Sequence, residues 1–77
     1  MITPAQCRSA RTLLAWSVGK LASAAGIREN AVNDFELERE PLDPLTADAV
    51  RRAFEDVGLE FLAEDDVRLR ADPSAVR

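Results

Sequence analysis

A chain of 77 residues with four aromatic side chains can hold one small core and no more. It has no histidine and a single cysteine, Cys7, which excludes an internal disulfide, an ordinary zinc site and a Ser-His or Cys-His catalytic pair; enzyme chemistry is not expected. The net charge of −4 is unevenly spread: residues 1–28 carry Arg8, Arg11, Lys20 and Arg28 with no acid, whereas residues 29–77 hold all 14 acids against six arginines.

The first helix opens at Thr3-Pro4-Ala5-Gln6: Thr3 caps, Pro4 fits the first helical position and Gln6 completes a capping box. Ile2 and Cys7 occupy the two hydrophobic-staple positions, so Cys7 reads as a packing residue. This helix runs to about Ala15 with Cys7, Ala10, Leu13 and Leu14 turned inward, and Trp16 then reads as a lid between helices. Ser17 is placed to cap a second helix over 18–25, which Gly26 ends in the left-handed conformation.

A third helix is predicted over about 29–37. Its apolar positions are Val32 and Phe35 with Ala31 or Leu37, which leaves Glu29, Asn30, Asn33 and Asp34 on other faces. Glu36, Glu38 and Glu40 read as a solvated acidic face, and a charged connector runs to Pro41 and Leu42. Asp43-Pro44 opens a fourth helix with Leu45, Ala49, Val50, Ala53, Phe54 and Val57 as its buried stripe, stopped by Gly58.

Beyond Gly58 the apolar period changes to two. Leu59-Glu60-Phe61 and Val67-Arg68-Leu69-Arg70 pair as a hairpin with Leu59 opposite Leu69, Glu60 opposite Arg68 and Phe61 opposite Val67, turning through 62–66. A two-stranded hairpin is weak alone, so it must pack on the helices or pair with another chain. The expected organisation is a helical unit over 1–58, a hairpin over 59–70 that serves dimerisation, and a flexible tail over 71–77. No long apolar run or signal-type N-terminus is present, so a cytoplasmic protein is expected, without a membrane partner. Asp65-Asp66 lacks the ligand spacing and turn glycine of a calcium loop, and no metal or cofactor is expected.

Two short helices joined by a tight glycine turn make a helix-turn-helix unit, with Ala22 where the helices cross and Leu21, Ile27, Val32 and Phe35 fixing the crossing from inside. These residues, with Gly26, resemble the signature of the Cro and phage-repressor (XRE-type) helix-turn-helix family. Gln6-Cys7-Arg8, Ala10-Arg11, Leu13-Leu14, Trp16-Ser17, Phe35-Glu36 and Gly58-Leu59-Glu60-Phe61 are also similar to small bacterial regulators of that kind.

The resemblance implies a mainly helical, lambda-repressor-like bundle of four helices with a C-terminal β extension. It further implies a dimeric transcriptional regulator that reads double-stranded DNA with its third helix in the major groove. Arg28, Glu29, Asn30, Asn33 and Asp34 would then face base edges, while the helix start at Ser17 and Val18, with Lys20, Arg8 and Arg11, would meet phosphates. A homodimer is expected through Leu59, Phe61, Val67 and Leu69. The alternative is a protein-interaction module on the same fold, antitoxin-like or a co-regulator, which the acids Glu29 and Asp34 favour.

Overall fold

The computed structural model describes residues 2–62 and 66–69. Four helices, α1 (Pro4–Leu14), α2 (Val18–Ala25), α3 (Glu29–Glu36) and α4 (Pro44–Glu55), precede two short strands, β1 (Leu59–Phe61) and β2 (Val67–Leu69). The molecule is thus mainly helical with one small antiparallel sheet. The strand register is Leu59 to Leu69, Glu60 to Arg68 and Phe61 to Val67, as the alternation predicts. The N–H of Leu62 donates to the carbonyl of Asp66 at 2.9 Å, closing the turn. Residues 63–65, which include Asp65, and the expected tail with Arg70 lie outside the described residues.

Local chemistry sets the helix ends. Thr3 Oγ1 accepts the Gln6 N–H at 3.1 Å and Gln6 Oε1 accepts the Thr3 N–H at 3.0 Å, the reciprocal capping box. Gln6 also donates through Nε2 to the carbonyl of Leu62 at 3.2 Å, so the start of α1 is tied to the hairpin. Ser17 and Asp43 cap α2 and α4. At their C-terminal ends α1, α2 and α3 share one turn, in which two successive N–H groups fold back on the helix carbonyls: Ala15 and Trp16 for α1, Gly26 and Ile27 for α2, Glu38 and Arg39 for α3. The turn needs a left-handed residue, supplied by Ala15 (φ 55°), Gly26 (φ 72°) and Glu38 (φ 60°).

A side chain in that conformation costs about 1–2 kcal/mol, partly offset by the extra backbone entropy that glycine loses on folding, about 0.5–1 kcal/mol. Glu38→Gly is therefore expected to stabilise the fold by up to about 1 kcal/mol, a rise of a few degrees in Tm by calorimetry. An unchanged Tm would mean that the turn holds Glu38 without strain.

The core is built from α2 packed on α3 and α4, α1 on α3 and β2, and β1 on α4. It comprises Ile2, Cys7, Ala10, Leu21, Ala22, Val32, Phe35, Ala47, Val50, Ala53, Phe54 and Leu59. The Trp16 ring stacks on Phe54 at 5.6 Å and Phe61 tilts against Phe54 at 6.0 Å, so Trp16 is the lid its position predicts.

Three expectations need correction. The buried stripe of α4 is Ala47, Val50, Ala53 and Phe54; Leu45 and Val57 are exposed, and Ala49 is half-buried. Ala47 lies about 200° around the helix from Leu45, and the small residues Ala47 and Ala53 let α4 approach its neighbours closely. Leu13 is 45% exposed on the outer side of α1 instead of facing inward. Glu36 belongs to no solvated face: it is 6% exposed and bonded inward, unlike Glu38 and Glu40.

Candidate nucleic-acid interface

The α2–α3 pair meets through Leu21 and Ala22 on one helix and Val32 and Phe35 on the other, all buried. Alanine at the crossing permits close approach, and Gly26 turns the chain without strain. The opposite side of α3 is left in solvent: Arg28, Glu29, Asn30 and Asn33 are exposed, and Asp34 is half-buried. Arg28 stands at the helix N-cap with no side-chain capping bond, so the first amides of α3 lack a cap from it.

The start of α2 lies beside this face. Ser17 Oγ accepts the Lys20 N–H at 3.0 Å, which leaves the Val18 and Gly19 amides of the first turn without an intrahelical acceptor. A Cβ on Gly19 would sit 3.0 Å from Oε2 of Glu29. The Glu29 carboxylate thus leans over the first turn of α2, where the amides and the helix dipole favour negative charge. Lys20 is exposed, and its Nζ lies 5.7 Å from the centre of the Trp16 ring.

The first turn of α2, with Ser17, Val18 and Lys20, therefore meets α3 at Glu29, while Arg28, Asn30 and Asn33 are exposed on α3 and its N-cap. Arg8 and Arg11 belong to a different arrangement. Arg11 donates from Nε and Nη2 to the two carboxylate oxygens of Glu36, each at 2.7 Å, and from Nη1 to the Trp16 carbonyl at 3.0 Å. Its fork is spent inside the protein and its charge is matched by a buried acid, so it adds little to a phosphate surface. Arg8, though exposed, donates through Nη1 to the main-chain carbonyl of Glu36.

Cys7 completes the cluster, its thiol donating to Glu36 Oε2 at 3.0 Å. Burial, reinforced by the bond to Glu36 and its charge, pushes the Cys7 thiol far above the usual range. Thiol reagents are therefore expected to label Cys7 only as fast as the fold opens, measured as an absorbance change with and without urea. Fast labelling of the native chain would contradict this packing. For Glu36, burial acts to raise the pKa, but the Arg11 fork, the Cys7 bond and the charges of Arg11 and Arg8 together hold it below the usual carboxylate range.

The expected dimer residues are mostly occupied within the chain. Leu59 is fully buried and Phe61 packs on Phe54, so both serve the core of their own protomer. Val67 is half-buried, and Leu69 is 55% exposed. Glu60 and Arg68 face each other at 3.9 Å on an exposed surface, where such a pair contributes little. Among the described residues no group of acids and cysteine could hold a metal ion, and no helix is long and apolar enough to cross a membrane.

In comparisons with known proteins, neither a protein-family model nor a curated protein matches this chain.

Proposed function

We propose that the chain is a small sequence-specific DNA-binding regulator of the lambda-repressor-like helical class, acting as a homodimer with α3 in the major groove. One observation carries the reading. The α2–α3 crossing buries Leu21, Ala22, Val32 and Phe35 and leaves Arg28, Glu29, Asn30 and Asn33 exposed, with Glu29 beside the first turn of α2. In the docking this implies, asparagine pairs with adenine edges and arginine with guanine, while the Val18 and Gly19 amides and Lys20 meet the backbone. The dimer contact is assigned to the uncovered end of the hairpin's apolar face, at Leu69 with part of Val67, because Leu59 and Phe61 on that same face are taken up by the protomer's own core.

Selection from random DNA at low salt, followed by gel shifts at rising salt, tests the proposal. The expected product is a near-palindrome with half-sites about 34 Å apart. The salt slope should be shallow, because Arg11 is paired with Glu36 and few cations remain for phosphates. Failure to recover any symmetric motif would overturn the proposal. A protein-interaction role on the same fold is the second reading, favoured by that pairing of Arg11 and by Glu29 and Asp34 on α3.

A further inference from the structure

At the C-terminal end of α3, away from its first turn, an open groove of about 250 Å³ is lined by Pro4, Phe35, Glu38, Glu40 and Pro41. Its floor is apolar: Phe35 is 7% exposed, and the prolines of α1 and of the connector offer stiff walls without N–H donors. Its rim is acidic. Glu38 and Glu40 are exposed, and neither joins an ion pair among the described residues. Arg39, between them in the chain, forms no part of the lining.

The last turn of α3 has no basic residue of its own, and the Glu36 carbonyl that ends the helix is met by Arg8 from α1, so the negative charge at the groove is that of the Glu38 and Glu40 carboxylates. Leu37, one residue before Glu38 in the chain, is 60% exposed. The left-handed turn keeps a glutamate at position 38 although glycine would hold the same backbone more comfortably.

We infer that this groove docks a short basic-apolar segment of a partner protein, with an aliphatic or proline side chain on Phe35 between the two prolines and flanking arginine or lysine against Glu38 and Glu40. Charge complementarity selects the occupant. Phosphates are repelled by the rim, an acidic segment is repelled as well, and an uncharged one leaves the rim unused. The surface is separate from the exposed Arg28–Asn33 face, so the inference does not depend on DNA binding; one chain can carry both.

The test is an NMR titration of the ¹⁵N-labelled full chain with a capped octapeptide in which arginines flank a Leu-Pro pair, and with its glutamate-for-arginine counterpart. The arginine peptide is expected to move the amide signals of Phe35, Glu38 and Glu40 and to saturate, and the glutamate peptide to move none of them. The double variant E38Q/E40Q is expected to weaken binding about three- to tenfold, the loss of two exposed ion pairs, with little change in Tm. The inference is overturned by an absence of saturable shifts, by shifts confined to Asn30 and Asn33 or to β2, by an equal response to the glutamate peptide, or by an E38Q/E40Q affinity equal to that of the parent. It is also overturned if these signals respond to protein concentration alone, which would make a second copy the occupant.

Discussion

Glu36→Ala is expected to cost this fold about 3 kcal/mol, because it leaves the Arg11 guanidinium largely buried with no countercharge. A domain of this length holds about 4–12 kcal/mol in all, at roughly 0.05–0.15 per residue. The substitution also strips the Cys7 thiol of its acceptor. Urea denaturation measures the loss as a lower midpoint. The pair itself is worth less than its removal costs, since two charges were taken out of water to make it. The double variant Arg11→Met with Glu36→Leu is thus expected to recover most of the midpoint. A loss below about 1 kcal/mol for Glu36→Ala would mean that water reaches Arg11 and that the fork adds little.

The same cluster shapes the pH dependence. Glu36 titrates lower in the folded chain than in the unfolded one, so its contribution is complete above the unfolded value of about 4.3 and is lost as pH falls through the folded value. Cys7 acts at the other end. Its folded pKa is raised, so stability is complete below the unfolded value of about 8.5 and falls as pH climbs from there toward the folded value. With no histidine, the interval between is expected to be nearly flat.

If α3 reads DNA as proposed, Asn33→Ala is expected to cost operator binding about ten- to a hundredfold, the worth of one good base contact. Because Asn33 is exposed, stability should change by no more than about 0.5 kcal/mol. Glu29→Gln should act in the opposite direction on random DNA. The carboxylate leans over the first turn of α2, where a phosphate would approach the Val18 and Gly19 amides, and like charges repel there. Neutralising it is expected to tighten non-specific binding about three- to tenfold. Under the proposed docking it should also relax the preference at one base position, where the acid would accept a hydrogen bond from cytosine N4. Fluorescence anisotropy with a selected site and a scrambled duplex reads both effects. If Glu29→Gln left DNA binding unchanged and abolished association with a co-purifying protein, α3 would be reading a protein surface and the regulator proposal would fall.

Much of this architecture is legible in the order of the amino acids. Thr3-Pro4-Ala5-Gln6, Ser17, Gly26 and Asp43-Pro44 act through their own backbone neighbours, so chain order places the starts of α1, α2 and α4 and the end of α2. The hairpin register followed from strict alternation, which permits one pairing that keeps four apolar side chains on a common face. The exposed face of α3 followed from Val32 and Phe35 being its buried positions. Glu36 had a signal too: with Val32 and Phe35 it completes the i, i+3, i+4 stripe, though its charge argued for solvent.

Tertiary packing decided the rest. Whether Glu36 is solvated or buried depends on Arg11 and Cys7 arriving from α1, more than 20 residues away, at hydrogen-bonding distance. That contact also decides that Arg11 is a structural cation. Which side of α4 is buried, and whether Leu59 and Phe61 face a second chain or their own core, depends on how closely alanines let helices approach. The groove of Pro4, Phe35, Glu38, Glu40 and Pro41 joins the first helix to the connector after the third. Caps, turns and strand alternation are short-range and so belong to the sequence; the partner of a buried charge is a long-range choice, made only when the helices meet.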